Sequence, residues 1–276
     1  MKKSLLFILI ASVLLVSCHN EQKEFKTYLY EGHRSFLLTA DEQMWPGDDS
    51  LGVDNSYSLQ WPASGTLTPE AEAELLMRCF ADSTATSFAE AADRWLNNLW
   101  LYDEESPKIH RHPVDSIGNR ENYGYANMKS TITRDSNLAT FCLNTESYMA
   151  YAAHGLYTAE YVVMDLNTKK IVHLNDLVDT AQLGEVAIRA IEDLEVNKDV
   201  RDCIFEEYRN AGRVVVPQNF FIDSTRSVIN LVFQVYDIAP YACGIQTVCL
   251  PIFWLSKHIP LTPYCKELFG EGCSID

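Results

Sequence analysis

Two spacings of apolar residues divide this chain, one helical and one alternating, and they predict most of its elements. Thr68 followed by Pro69 predicts a helix start, a hydroxyl cap ahead of proline in the first turn. Leu75, Leu76, Cys79 and Phe80 then share one face. Ser87-x-x-Glu90 has capping-box spacing, with Ala92, Trp95, Leu96 and Leu99 recurring behind it at helical intervals. Asp179-x-x-Gln182 has the same form. It precedes the cleanest stripe in the chain: Leu183, Val186, Ala187, Ala190, Ile191 and Leu194. A shorter helix is expected from Asp199 to Tyr208.

Alternation and β-branched content predict strands elsewhere. In the first half these are Lys26 to Tyr30, Ser35 to Thr39 and Val53 to Trp61, broken by a loop from Met44 to Leu51. From Tyr123 onward they are Lys129 to Thr133, Leu138 to Leu143, Ser147 to Ala152, Leu156 to Met164 and Ile171 to Leu174, with a turn from Asp165 to Lys170. Phe220 to Ile222, Val228 to Tyr236 and Ile245 to Leu250 complete the set. Residues 103–120, polar and punctuated by Pro107, Pro113 and Gly118, predict a long loop or a weak boundary. Hairpins with helices grouped between them give an α+β class, a mostly antiparallel sheet with helices packed on it.

The N-terminus breaks this pattern. Lys2 and Lys3 precede an uncharged run from Leu5 to Val16, shorter than the ~20 residues a spanning helix needs. Leu15-Val16-Ser17-Cys18 has the form of a lipobox. Residues 1–17 are thus expected to be a lipoprotein signal peptide, with Cys18 the lipidated residue bearing palmitate-type chains. An ordinary secretory signal with a chance cysteine and an uncleaved anchor are the alternatives. Residues 18–26 read as a polar tether, 27–120 as an N-terminal strand and helix region, and 121–276 as a C-terminal domain, the two forming one continuous body. The expected address is the bacterial cell envelope, extracytoplasmic and held to the membrane by lipid. The sequence leaves open which membrane, and whether the body is periplasmic or surface-exposed.

Composition sharpens this. Of 276 residues, 47% are apolar and 11% aromatic, enough for a sizeable core. The 38 acids against 22 bases give a net charge of -16, which argues against nucleic acid as a partner. Losing Lys2 and Lys3 with the signal takes this to -18 on a mature chain of 259 residues. Lipidation uses one of the 8 cysteines, leaving Cys79, Cys142, Cys203, Cys243, Cys249, Cys265 and Cys273. Cys243 with Cys249 can close a small loop and Cys265 with Cys273 can staple the tail. Cys79, Cys142 and Cys203 read as buried thiols. Pairing itself stays open.

Strong catalytic motifs are missing. There is no GxGxxG, GxxxxGK, GxSxG, HExxH or CxxC in the sequence. His110-Arg111-His112-Pro113-Val114-Asp115 is the most metal-like cluster, since a strand would send both imidazoles to one side. Pro113 and the surrounding polarity make it a solvated loop instead. Asp41-Glu42, Asp103-Glu104-Glu105 and Glu206-Glu207 read as solvated acidic faces, and Phe253-Trp254 as core. No metal, cofactor or catalytic residue is expected. His154 beside Gly155 fits a structural or binding role better than a general base. The run Tyr236-Asp237-Ile238-Ala239-Pro240-Tyr241-Ala242-Cys243-Gly244, set between two strong strands, reads either as a packed connection or as a binding loop displaying its tyrosines.

From Lys129 to Leu255 the chain resembles the extracytoplasmic domain of RsiV-type anti-sigma factors, which sense lysozyme. That domain also occurs beside peptidoglycan deacetylase domains and in many lipoproteins of unknown function. Ala153-His154-Gly155 is similar to the family's turn, with Tyr151-Ala152 in place of its paired glycines. Asp165 to Lys170 followed by Leu174-Asn175-Asp176-Leu177 resembles its hairpin, with Lys169 where glycine is usual. Asn219-Phe220 and the Tyr236 to Gly244 run match its closing signature. The resemblance implies an α+β binding domain without chemistry of its own. The expected function is a non-catalytic recognition module for a cell-wall glycan (peptidoglycan) or a lysozyme-like basic protein. His154, Tyr236, Asp237 and Tyr241 are its candidate binding residues. The rivals are an envelope hydrolase acting on glycan or peptide, and a purely structural lipoprotein.

Overall fold

The computed structural model describes residues 25–41, 50–98, 109–118, 122–225 and 227–270. The signal segment, Cys18, most of the tether, the loop after Asp41, Leu99, the 103–105 acids and Cys273 lie outside them.

In chain order the elements are β1 (Thr27–Ala40), β2 (Ser50–Pro62), α1 (Pro69–Phe80), α2 (Phe88–Asn97), β3 (Ile109–Val114), β4 (Tyr123–Asp135), β5 (Leu138–Tyr148), β6 (Leu156–Asp165) and β7 (Lys170–Val172). There follow α3 (Leu174–Leu177), α4 (Leu183–Asp193), α5 (Lys198–Cys203), α6 (Glu206–Ala211), β8 (Phe220–Asp223), β9 (Val228–Phe233), β10 (Gln246–Pro251), α7 (Ile252–Leu255) and α8 (Pro263–Phe269). Seven strands form one sheet in the order β3-β1-β2-β4-β5-β6-β7, and three form a second in the order β10-β9-β8. Every described pairing between strands is antiparallel except β2 with β4. That parallel pair carries the large sheet across residue 120. The class is α+β, as the alternating and helical patterns predict. Among the described residues no helix is long and apolar enough to cross a membrane.

Strand alternation gives the large sheet two apolar faces. Trp61 of β2, Met128 of β4, Phe141 of β5 and Met164 of β6 face α1 and α2 and are buried under Leu75, Phe80 and Trp95. On the opposite face Leu138 and Val163 meet α4 and the small sheet through Ile191, Leu231 and Phe233. Along β9 Ile229 to Phe233 are all buried, because the strand is covered on both sides.

The helix starts follow their caps. Thr68 Oγ1 accepts from the Ala71 amide at 3.3 Å, an interaction worth about 1 kcal/mol. Ser87 Oγ accepts from the Glu90 amide, but the Glu90 carboxylate takes the Thr86 amide, so only half of that capping box closes. Asp179 accepts from the Ala181 amide and opens a single 3-10 turn, Thr180–Gln182, ahead of α4.

Several expectations are corrected. The predicted loop around His110 is strand β3, paired with β1. It lies at the sheet edge, where a proline is tolerated. His110 binds Asp41 at 2.7 Å and His112 binds Thr39 at 3.2 Å, and no group of three or more metal-ligating side chains forms among the described residues. Cys203 is not a buried thiol: it forms a disulfide with Cys243, so Cys243 does not close a loop with Cys249. Phe253 is exposed beneath Lys257, whose Nζ lies 3.8 Å from the ring centroid. Cys142 is only partly buried. Ser147 to Ala152 is not a strand of its own, since β5 ends at Tyr148.

Candidate functional site

The long connection from β9 to β10 meets the turn between β5 and β6, 82 residues away in sequence. Tyr241 opens a 3-10 turn, Tyr241–Cys243, that the Cys203 disulfide ties to the end of α5. Its ring stacks on the His154 imidazole, centroids 3.9 Å apart and planes at 24°. Tyr236 approaches the same ring pair, 5.7 Å from Tyr241, and Tyr157 of β6 meets Tyr241 edge-on at 5.5 Å.

Hydrogen bonds fix the stack. The Gly155 carbonyl can only accept, and it receives the Tyr241 hydroxyl at 2.8 Å and His154 Nδ1 at 2.9 Å. Nδ1 therefore carries the proton, which leaves Nε2 of the neutral ring as an acceptor for the Tyr236 hydroxyl, 3.3 Å away. Gly155 has no room for a side chain, because a Cβ there falls 2.9 Å from the Ser147 carbonyl oxygen. Tyr236 adopts φ +71°, a left-handed backbone unusual outside glycine, at the side of the stack. Partial desolvation lifts the Tyr241 phenol above its ordinary pKa, with Tyr157, Tyr236 and Glu146 acting in the same direction.

Three of the four predicted residues are thus joined in one constellation, His154 and Tyr236 exposed and Tyr241 half-buried. Asp237 turns away from it. Its Oδ2 accepts from the Gln234 amide at 2.7 Å, its carbonyl accepts the Tyr208 hydroxyl at 2.8 Å, and it lines a neighbouring groove of about 920 Å³.

That groove runs between α1 and the small sheet, and the sequence reading missed it. Arg78 of α1 donates through Nε to Glu160 of β6 at 2.8 Å and through Nη2 to the carbonyls of Tyr161 and Gln218 at 3.0 and 3.1 Å. Glu74 lies 4.0 Å from Arg78 and 3.4 Å from His173 Nε2. Burial pushes the Glu160 carboxyl above the usual glutamate range despite the opposing pull of Arg78. The one signal for this cluster was Glu160 itself, an acid inside the apolar strand from Leu156 to Met164.

The floor of the groove holds the two sheets together. β7 pairs only with Val163 to Asp165, so the rest of that β6 edge needs other partners. Asn219 supplies them by accepting from the Tyr161 amide at 2.8 Å and donating to the Ala159 carbonyl at 2.7 Å. Gln234 does the same for the Ala159 amide and carbonyl, at 3.1 and 2.7 Å. Two side-chain amides thereby stand in for a strand.

Residues 174–252 match the family model described as "Protein of unknown function (DUF3298)". None of the curated proteins compared with the chain matches it. The fold is similar to the crystal structure of a DUF3298 family member from Bacteroides fragilis, with a TM-score of 0.56 and 17% identity over 89% of this chain and 96% of that one. It is also similar to a DUF3298 family protein from Pseudomonas aeruginosa, with a TM-score of 0.51 and 15% identity over 88% of this chain and 97% of that one. At such identities the likeness speaks for the fold and leaves function to the site. From α3 to the start of α7, then, the chain matches the DUF3298 model, and its fold is similar to that of two solved DUF3298 structures.

Proposed function

We propose that this chain is a lipid-anchored, non-catalytic recognition module of the bacterial envelope, and that its ligand is a cell-wall glycan. The observation that carries the reading is the stack of half-buried Tyr241 on exposed His154, with exposed Tyr236 beside it. Flat rings held in place by the fold offer apolar faces to sugar C–H groups, and the hydroxyls and amides around them hydrogen-bond at little ordering cost. The strained backbone at Tyr236 supports a binding role, since strain of this kind collects where a ligand is held. The resemblance to RsiV-type domains and the lipobox at Cys18 support the envelope address. So does the Cys203–Cys243 disulfide, because such bonds persist in oxidising compartments.

Co-sedimentation of the chain with purified peptidoglycan tests the reading. Wild type is expected in the pellet, with Tyr241→Ala and His154→Ala in the supernatant. A wild type that stays soluble at low salt sinks the glycan reading, and retention on immobilised lysozyme instead transfers the stack to a protein partner. Labelling by palmitate that survives Cys18→Ala sinks the anchor.

The groove favours a second reading, a hydrolase with Glu160 as its acid, because a carboxyl held above its usual range by burial is how general acids are tuned. Against this, Arg78 engages Glu160 directly and lies close to Glu74. Peptidoglycan is therefore expected to release no soluble fragments on incubation. Release that is lost in Glu160→Gln would make the chain an enzyme.

A further inference from the structure

We propose that the ligand surface does not end at the stack but continues across β6, β5 and β4 as an aromatic track, and that it takes an extended neutral glycan strand rather than a single sugar. The inference rests on the glycan reading of the stack and deepens it.

Strand alternation places the track. Ala126 and Met128 of β4 and Phe141 and Leu143 of β5 point into the core under α1 and α2, so Tyr123, Tyr125, Glu146 and Tyr148 point to the opposite face. The small sheet covers that face over β6, where Phe221 packs on Tyr161 at 4.8 Å. It leaves the far end open, with Tyr123 40% exposed.

The steps between neighbours are short. Tyr123, Tyr125 and Tyr148 lie 6.0 to 6.2 Å from one another. The Tyr125 hydroxyl donates to Glu146 at 2.9 Å, and Glu146 sits opposite Tyr157 in the β5–β6 register. Tyr157 reaches Tyr241, and Tyr241 reaches His154 and Tyr236. The rings therefore form two clusters, Tyr123-Tyr125-Tyr148 and Tyr157-Tyr241-His154-Tyr236, bridged by Glu146 across three strands, an extended arrangement that suits a linear polymer.

Charge selects among linear ligands. A net charge of -16 repels polyanions, nucleic acid among them, and sets a second copy of the chain against a like-charged partner. Glu146 accepts from the Tyr125 hydroxyl, and around this one carboxylate the track presents phenol faces and hydrogen-bonding groups. A neutral glycan meets both conditions.

Titration calorimetry of the full chain with β-1,4-linked N-acetylglucosamine oligomers of two, four and six units tests the proposal. The hexamer is expected to bind about fivefold or more tightly than the dimer, two extra ring contacts at about 0.5–1.5 kcal/mol each converting to that range. The Tyr123→Ala, Tyr148→Ala double variant should bind the dimer as wild type does and lose the gain with length. Tyr123→Phe, which keeps the ring and the fold, should retain the gain. Length-independent binding overturns the track while leaving the stack as a glycan site, and so does a gain that survives the double variant. Failure of every oligomer to bind overturns the glycan reading itself, and the track with it. A wild-type dimer in sedimentation that the double variant abolishes also overturns the proposal, by making the track a contact between copies.

Discussion

Tyr236 flanks the stack in a backbone conformation that side chains disfavour, with φ +71°. A left-handed L-residue costs roughly 1–2 kcal/mol, and the cost falls on any residue with a Cβ. Comparing Tyr236→Ala with Tyr236→Gly isolates it, since both lose the ring and only glycine relieves the backbone. At an ordinary position glycine is the less stable of the two. Here Tyr236→Gly is expected to be the more stable by about 1 kcal/mol in urea denaturation, while both variants lose glycan affinity alike. Equal stabilities would mean that the backbone strain is not real. The same conformation recurs at Tyr151 (φ +68°) and Lys169 (φ +60°), two of the three positions, with Ala152, where the RsiV-type resemblance leads one to expect glycine. Both residues hold the left-handed backbone while carrying a Cβ. Asp165 helps at the second by accepting the Asn167 and Thr168 amides at 2.8 and 3.2 Å.

Among the elements, the connection from β9 to β10 depends on a covalent tie that its own sequence does not announce. The Cys203–Cys243 bond joins residues 40 apart and ends the 3-10 turn that carries Tyr241. On the loop-entropy model a crosslink of that span is worth about 4 kcal/mol. Replacing both cysteines by serine, or adding reductant, should lower unfolding stability by an amount of that order and weaken glycan binding, as read by denaturation with and without dithiothreitol. A stability unmoved by reduction would show that the bond contributes nothing to the folded state. This tie also marks the limit of what the sequence made legible. The starts of α1 and α4 could be read, because a cap and the apolar stripe behind it are local signals. The pairing of Cys203 with Cys243 could not, nor could the strand around His110, whose place is set by β1 some 73 residues earlier. His154 and Tyr241 could each be named as candidates, but their stacking needed two loops to meet in space. Arg78 and Glu160 gave less still, one cation on a helix and one acid in a strand that only packing joins.

At the scale of the whole molecule the acid excess distinguishes the two partners that the resemblance implies. Charges spread over the surface act at long range, and salt screens them over about 8–10 Å at ordinary ionic strength. A basic protein drawn to a body of net charge -16 associates faster at low salt, and that advantage falls steeply as salt rises. A neutral glycan feels almost none of this, because its affinity comes from ring contacts and hydrogen bonds at short range. Raising sodium chloride from about 50 to about 500 mM is therefore expected to change glycan-oligomer affinity by less than about twofold. Over the same interval lysozyme association would slow by about tenfold or more. A steep salt dependence with the oligomers would place charge at the centre of recognition. The groove of Glu74, Arg78, Glu160 and His173, rather than the tyrosine track, would then be the surface to mutate next.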